Sequence, residues 1–219
     1  MSEIRAFLFD MDGVIVDSNP LHRESWAEYN RRHGVETTEE MQQRMYGKRN
    51  DMIVRDYMGA HLSDAEVFAH GAAKEKLYRE MLAPRLAETL VPGLVAFLER
   101  HPDMPMAVAT NAEPANVEFV LQNAGLGRFF RFAVNGQQVP NPKPHPDVYL
   151  RAAELLGIPP GNCVVFEDSY GGVAAGLAAG MRVVGITTTY TDLPGTSVLA
   201  RDFNDPAIEI WLSAETRHK

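Results

Sequence analysis

Two pairs of acidic residues in this 219-residue chain directly follow short apolar runs that predict strands. Asp10 and Asp12 follow the first of these runs, and Glu167 and Asp168 follow a later one. A carboxylate at the end of a buried strand is costly without a partner. Because open parallel sheets bind ligands beyond the carboxyl ends of their strands, we expect Asp10 where a nucleophile or metal ligand is presented. The alternative for this motif alone is an ordinary turn, in which Gly13 lets the backbone change direction sharply.

Other polar residues suit the binding of a phosphoryl group. Thr110 and Asn111 end a predicted strand, where hydroxyl and backbone N–H groups could hold a phosphoryl oxygen. A helix N-cap is the alternative for this pair. Lys143 lies among three prolines that restrict its backbone, so that its ammonium could neutralise phosphoryl oxygens; the alternative is a solvated loop lysine. Two strands that deliver carboxylates to the same edge would add an oxygen-rich site of the kind that Mg²⁺ selects.

The elements that must position these residues alternate between strand-like and helix-like apolar patterns. This alternation predicts an α/β fold, a parallel sheet with helices on both faces. Strands are predicted at residues 4–9, 106–109, 129–134, 163–166 and 182–186. The stretch 18–86 has no strand pattern and its apolar positions suit short amphipathic helices, so we infer an all-helical domain at 18–86, inserted into an α/β domain of 1–17 and 87–219. We expect the tail 213–219 to be frayed.

Composition excludes several classes of protein. With 45% hydrophobic and 23% charged residues, the chain has neither a disordered nor a fibrous composition. Its formal net charge of −8 opposes binding to nucleic acid or to anionic lipid. No apolar run approaches the roughly 18 residues that a membrane span needs. The single cysteine, Cys163, is expected to be a buried thiol in a reducing compartment, so we expect a cytoplasmic protein. We also expect a monomer or a weak homodimer.

Four motifs stand in an order that is typical of one enzyme family. They are Asp-x-Asp-Gly-Val at residues 10–14, Thr110-Asn111 after a strand, Lys143, and Glu167-Asp168 after a strand. In this order the chain resembles the haloacid dehalogenase superfamily of phosphoryl-transfer enzymes over nearly its whole length. The resemblance implies a Rossmann-like core with a helical cap that closes over the site, excludes water and selects the substrate. It also implies phosphate chemistry, because the dehalogenases of this superfamily lack the second aspartate, present here as Asp12.

The resemblance implies a role for each motif residue. Asp10 would be the nucleophile that forms an aspartyl-phosphate, and Asp12 would protonate the leaving oxygen and later take a proton from water. Thr110, the backbone N–H of Asn111 and Lys143 would surround the phosphoryl oxygens. The family binds Mg²⁺ through positions that correspond here to Asp10, the backbone carbonyl of Asp12, Asp168 and, directly or through water, Glu167.

Within the family the chain looks closest to β-phosphoglucomutase and related sugar-phosphate phosphatases. The residues that match the mutase cap are His22, Arg49 within segment 47–51, and Lys74. Each has a simpler interpretation: a solvent-facing position for His22, an ion pair with Asp51 for Arg49, and an ion pair with Glu75 or Glu80 for Lys74. The mutase also has one more residue between the glycine and the arginine of this segment, which weakens the mutase assignment.

We therefore expect Mg²⁺-dependent hydrolysis of a small, polar, sugar-like phosphate monoester. β-Phosphoglucomutase activity is the alternative, in which the phosphoenzyme is kept from water until a sugar arrives. A third interpretation is a receiver module, which accepts a phosphoryl group on an aspartate without turnover. The chain length, the helical insertion and the Asp-x-Asp pair all oppose that third interpretation.

Overall fold

The polypeptide divides into two units in the computed structural model, which describes residues 3–45 and 48–217. The first unit comprises Met1–Asp17 and Glu88–Lys219 and is called the α/β unit below. The second comprises Ser18–Ala87 and is called the helical insert.

All strands of the described residues belong to the α/β unit. The strands are β1 (Ala6–Phe9), β2 (Met106–Thr110), β3 (Ala133–Asn135), β4 (Cys163–Glu167), β5 (Arg182–Ile186) and β6 (Val198–Ala200). The α-helices are α1 (Asn19–Arg32), α2 (Glu39–Met45), α3 (Asn50–Met58), α4 (Asp64–Leu82), α5 (Leu86–Thr89), α6 (Leu94–Arg100), α7 (Pro114–Asn123), α8 (Asp147–Leu156), α9 (Tyr170–Ala178) and α10 (Pro206–Arg217). None of these helices has the length and apolar character needed to cross a membrane.

The six strands form one parallel sheet in the order β3-β2-β1-β4-β5-β6. The chain builds the sheet outward from β1 through β2 and β3, then returns to the other side of β1 with β4. This reversal makes the crevice at the carboxyl ends of β1 and β4 the expected place for a ligand in an open sheet. The predicted α/β class and its parallel sheet are therefore confirmed.

Both faces of the central strands are buried, which explains their continuous apolar sequences. Leu8 of β1 belongs to an apolar cluster that includes residues of α8 and α9 on one face of the sheet. On the other face, the ring of Phe9 stacks on that of Phe166 with centroids 4.7 Å apart. A slip of one residue would exchange the two faces of a strand, so this packing sets the register of the strands that carry the acidic residues.

Two expectations about elements are wrong in detail, and one strand was not predicted. The strand expected at 129–134 is β3, Ala133–Asn135, because Phe130 lies before it in a loop and packs edge-on against Phe9 at 5.6 Å. Strand β6 was not predicted; it has three residues at the sheet edge and Leu199 is 44% exposed, so it lacks a recognisable pattern. The tail expected to be frayed is helical as far as Arg217.

The helical insert contains α1 to α4 and shows no strand in its described residues. Its core is built around Trp26, which is fully buried and meets the ring of Tyr57 edge-on at 5.2 Å. The methionine and aromatic positions of this stretch thus serve core packing. Helix α4 begins with a capping box, in which Ser63 accepts a hydrogen bond from the Glu66 backbone and the Glu66 side chain accepts one from the Ser63 backbone.

Candidate active site

Three carboxylates and one ammonium group meet at the carboxyl edge of the sheet. Asp10, Glu167 and Asp168 each place a carboxylate oxygen within 4.8 Å of the others, and all three are buried. The ammonium of Lys143 donates hydrogen bonds to Asp10 Oδ1 at 2.9 Å and to Glu167 Oε1 at 2.6 Å. The structure therefore brings together four of the residues singled out in the sequence, although Asp10 and Lys143 are 133 positions apart.

The register of β1 and β4 explains why these carboxylates meet. Phe9 pairs with Phe166 in the ladder, and the backbone N–H of Asp10 donates to the carbonyl of Phe166 at 3.0 Å. The first residues beyond this pair are Asp10 and Glu167, so parallel neighbours deliver both acids to the same edge.

Negative charge exceeds positive charge in this cluster. Burial, with repulsion from Glu167 and Asp12, raises the pKa of Asp10 to about 7 against the attraction of Lys143. Burial and repulsion from Glu167 and Asp10 raise the pKa of Asp168 well above its usual value. Burial alone would lower the pKa of Lys143, but attraction to Asp10 and Glu167 outweighs it and the pKa is raised. A cluster of oxygen ligands with surplus negative charge fits a hard divalent cation.

Glu167 is held more completely than the other carboxylates. Its Oε1 accepts hydrogen bonds from Lys143 and from the hydroxyl of Tyr149, at 2.6 and 2.7 Å. Its Oε2 accepts from the backbone N–H of Asp168 at 3.0 Å and from both the backbone and the hydroxyl of Ser169, at 3.2 and 3.0 Å. Glu167 is fully buried. Five donors thus compensate its charge and fix its side chain, which in turn fixes the ammonium of Lys143.

Two glycines leave the space that the carboxylates occupy. A Cβ atom on Gly13 would overlap the carboxylate of Asp168, and one on Gly172 would overlap the carboxylate of Glu167. Gly13 also has a φ of +78°, which L residues rarely adopt. The glycine of the first motif is therefore needed for close approach as well as for its turn.

Thr110 and Asn111, which are expected to contact phosphoryl oxygens, lie at the end of β2 and directly after it. Thr110 is buried at the end of β2, and its hydroxyl oxygen accepts a hydrogen bond from the backbone N–H of Ala112 at 3.1 Å. The hydroxyl of Thr110 keeps its own hydrogen as a donor, because this contact uses only an oxygen lone pair. The side chain of Asn111 accepts from the backbone N–H of Lys143 at 3.1 Å and donates to its carbonyl at 3.4 Å. Asn111 therefore fixes the backbone that carries the lysine.

Asp12 lies in the turn after β1 and is half-buried. It forms an isolated parallel bridge with Val16, which closes the turn. Its negative charge is one of the contributions that raise the pKa of Asp10. The structure thus places the second aspartate of the motif beside the buried cluster and more open to solvent than Asp10.

Sequence reasoning missed two side chains that contact the cluster, those of Tyr149 and Thr189, and one, that of Thr188, that contacts the turn after β1. The hydroxyl of Tyr149 donates to Glu167 from α8. In the sequence Tyr149 is part of an apolar helical pattern, which predicts core packing and gives no sign of a polar contact. Thr188 donates to the carbonyl of Gly13 at 2.6 Å, and Thr189 donates to Asp168 Oδ2. A signal for the two threonines was available, because they directly follow the predicted strand 182–186 and so lie at the same edge as the acids.

The helical insert brings two of its three predicted residues together. The ring of His22 stacks on Tyr78 with centroids 3.9 Å apart, and the ammonium of Lys74 donates to His22 Nδ1 at 3.2 Å. Lys74 is 1% exposed and forms a buried ion pair with Glu75, whose Oε1 also accepts from Asn50 at 2.7 Å. His22 is half-buried and contacts the buried Lys74, rather than only facing solvent.

Arg49 does not join His22 and Lys74 in the described contacts. It is exposed and pairs with Asp51 at 3.1 Å, the simple ion pair considered for it from the sequence. Gly47, which begins the segment compared with the mutase, lies outside the described residues.

Several known proteins are similar to this chain in sequence or in structure. The family model described as haloacid dehalogenase-like hydrolase matches residues 4–180. The fructose-1-phosphate phosphatase YqaB of Escherichia coli is 34% identical over 181 residues, covering 82% of this chain and 94% of that protein. A β-phosphoglucomutase of Mycobacterium tuberculosis is 31% identical over 217 residues, covering 85% of this chain and 82% of that protein. The crystal structure of a HAD hydrolase, family IA, variant 3, from Entamoeba histolytica has a TM-score of 0.85 at 27% identity, covering 98% of this chain and 100% of that chain.

Proposed function

The chain belongs to the haloacid dehalogenase-like hydrolase family, and from that premise we propose that it hydrolyses small, sugar-like phosphate monoesters with Mg²⁺ through an aspartyl-phosphate. The family assignment made from the four motifs is confirmed by the match to 4–180 and by the named phosphatase relatives. The observation that carries the finer proposal is the convergence of Asp10, Asp168 and Lys143 at one buried edge of the sheet.

The first half-reaction uses Asp10 and Asp12. A carboxylate oxygen of Asp10 attacks phosphorus, the bond from phosphorus to the ester oxygen breaks, and the alcohol leaves. Asp12, which is half-buried and beside Asp10, donates the proton that the leaving oxygen needs. In the second half-reaction Asp12 takes a proton from a water molecule, and the oxygen of that water attacks phosphorus. The bond from phosphorus to the Asp10 carboxylate oxygen breaks, which releases inorganic phosphate and regenerates Asp10.

Lys143 keeps Asp10 reactive and stabilises the transferring group. Its contact at 2.9 Å favours the ionised form of Asp10, which is the form that can attack. Its ammonium lies where negative charge builds up on the phosphoryl oxygens, together with the hydroxyl of Thr110 and the backbone N–H of Asn111. We assign Glu167 to holding Lys143, because both of its oxygens already accept hydrogen bonds.

The oxygen atoms that would hold Mg²⁺ are those of Asp10, Asp168 and the backbone carbonyl of Asp12. When bound, the cation would neutralise the surplus charge of the carboxylates and of the phosphoryl group. The raised pKa values of Asp10 and Asp168 support this assignment, because burial and then repulsion between the carboxylates raise them, and a bound cation would offset both effects.

A sugar phosphate is the substrate class that the relatives favour. The Escherichia coli relative is named for fructose 1-phosphate and another is named a hexitol phosphatase. We also propose that the helical insert carries substrate selection through His22, Lys74 and Arg49. The contact of His22 with the buried Lys74 and the mycobacterial relative both keep a β-phosphoglucomutase-type reaction as the second candidate.

The test is a phosphate-release screen over many phosphate esters with Mg²⁺, including β-glucose 1-phosphate with and without a trace of its bisphosphate. We expect release of inorganic phosphate by the wild type and its loss in Asp10→Asn, with circular dichroism unchanged. Asp103→Asn, an exposed acid in the same unit, is the matched control and should retain activity.

Three other outcomes would contradict the proposal. Formation of glucose 6-phosphate without comparable phosphate release would identify a mutase. A single stoichiometric phosphorylation without turnover would identify a receiver-like switch. Activity in Asp10→Asn close to that of the wild type would exclude Asp10 as the nucleophile.

A further inference from the structure

The loop after β5 donates two hydroxyl hydrogen bonds to the segments that carry the acidic cluster. Thr188 donates to the carbonyl of Gly13 at 2.6 Å, and Thr189 donates to Asp168 Oδ2. Both threonines are half-buried. The loop belongs to none of the four motifs, yet it ties the turn after β1 to the carboxylate that follows β4.

Asp168 Oδ2 is confined by this arrangement. On one side Gly13 lacks a side chain, and a Cβ there would overlap Oδ2; on another side lies the hydroxyl of Thr189. The backbone N–H of Asp168 is held by Glu167 at 3.0 Å. A hydrogen bond to one oxygen of a carboxylate fixes its rotation about the Cβ–Cγ bond, so the second oxygen also takes a defined position.

This restraint acts against the repulsion between neighbouring carboxylates. Carboxylate oxygens of Asp10, Glu167 and Asp168 lie within 4.8 Å of one another, and among the described residues Lys143 pairs with Asp10 and Glu167. Repulsion therefore pushes the carboxylate of Asp168 away from the other two. Thr189 supplies a side-chain hydrogen bond that holds it in place.

We propose that Thr189 is a positioning residue that orients Asp168 for the divalent cation and thereby sets the metal affinity of the site. The inference rests on the proposed function, because it takes Asp168 as a metal ligand. Thr189 acts through Asp168 and does not touch the phosphate ester. Partners of this kind behind a ligating side chain typically change metal affinity by about 10–100-fold when they are removed.

The experiment measures Mg²⁺ binding to the full-length, metal-free protein by isothermal titration calorimetry, without substrate. Thr189→Val removes the hydroxyl and nearly keeps the shape, and should weaken Mg²⁺ binding by about 10–100-fold. Thr189→Ser restores the hydroxyl and should restore the affinity. Thr187→Val is the control, because the Thr187 hydroxyl donates to the carbonyl of Ala200 at 3.4 Å and does not contact the cluster.

Turnover of p-nitrophenyl phosphate gives an independent comparison. In Thr189→Val the Mg²⁺ concentration for half-maximal rate should rise by the same factor as the dissociation constant, while kcat at saturating Mg²⁺ stays close to that of the wild type. A loss of kcat that excess Mg²⁺ does not restore would show a role other than positioning the metal ligand, and would overturn the proposal.

The remaining outcomes separate this proposal from the proposed function. If Thr189→Val binds Mg²⁺ like the wild type while Asp168→Asn does not bind it, the positioning role is wrong and the proposed function stands. If the wild type neither binds Mg²⁺ nor shows Mg²⁺-dependent turnover, both are wrong. Should circular dichroism show that Thr189→Val is unfolded, Thr189→Ala removes the hydroxyl without a branched replacement, and unchanged Mg²⁺ affinity in that variant overturns the proposal.

Discussion

The ionisation of Asp10 is set by neighbours that act in opposite directions. Burial and the charges of Glu167 and Asp12 favour its protonated form, whereas Lys143 favours its ionised form. One ammonium is shared between Asp10 and Glu167, and a cation would supply the charge that is still missing. The residues that hold Lys143, namely Glu167 and Asn111, therefore matter for reactivity although neither needs to touch phosphorus.

The raised pKa of Asp10 predicts a pH dependence of stability in the metal-free protein. The unfolded chain loses this proton near the ordinary aspartate pKa of 3.8 and the folded protein retains it up to a pKa of about 7, so stability falls as the pH rises through that window. Asp10→Asn removes the ionisation. In EDTA its melting temperature should exceed that of the wild type by several degrees at pH 8 and differ little at pH 4, since each kcal/mol corresponds to roughly 2–4 °C at this size. Equal differences at both pH values would contradict the assignment.

The proposed proton transfer by Asp12 predicts a dependence on the leaving group. A general acid matters most where the leaving oxygen is strongly basic, and it typically contributes about 10²–10⁴-fold. Asp12→Asn should therefore lose more activity toward an alkyl sugar phosphate than toward p-nitrophenyl phosphate, whose leaving group needs little protonation. Steady-state kcat values for the two substrates provide the measurement, and a larger loss with p-nitrophenyl phosphate would rule out this role.

At the scale of elements, helix α9 is coupled to the site through its first turn. Ser169 caps the helix by accepting a hydrogen bond from the backbone N–H of Gly172 at 3.0 Å, and its own hydroxyl donates to Glu167. Gly172 faces the carboxylate of Glu167 with no room for a side chain. Glu167, which ends β4 and holds Lys143, therefore packs directly against the first turn of α9.

Two neighbouring glycines of α9 allow a matched test of this coupling. Gly172→Ala places a methyl group against Glu167 and should cost about 1–3 kcal/mol, as other overpacking substitutions do. Turnover should fall as well, because a displaced Glu167 would also displace the ammonium of Lys143. Gly171→Ala meets no atom within 4 Å and should be neutral or stabilising by up to about 1 kcal/mol. Urea unfolding and phosphate release on both variants measure the two effects, and similar behaviour of the pair would refute the coupling.

At the scale of the whole molecule, the chain carries a net charge of −8 and concentrates part of it in a buried cluster. A cation that binds only the folded state stabilises it by mass action, by about 2.7 kcal/mol at 100 times its dissociation constant. Mg²⁺ should therefore raise the melting temperature, EDTA should reverse the rise, and Asp168→Asn should abolish it. A rise of the same size in Asp168→Asn would place the binding elsewhere on the molecule.

Much of the architecture could be predicted from local patterns. Strands β1, β2, β4 and β5 are continuous apolar runs, and their place at the centre of a parallel sheet follows from that composition. Strand β6 and helix α10 escaped prediction. The edge strand is short and half-exposed, so its formation depends on pairing with β5 rather than on its own sequence.

The sequence by itself determined the order of the four motifs, the family and the strand ends at which Asp10, Thr110 and Glu167 appear, because these are properties of residue type and spacing. Only the tertiary structure decided which side chains touch. Thr189 reaches Asp168 across 21 positions, and Lys143 reaches Asp10 across 133. Such contacts depend on register, on helix placement and on the space left by a glycine, and these are set by packing over the whole unit rather than by any one segment.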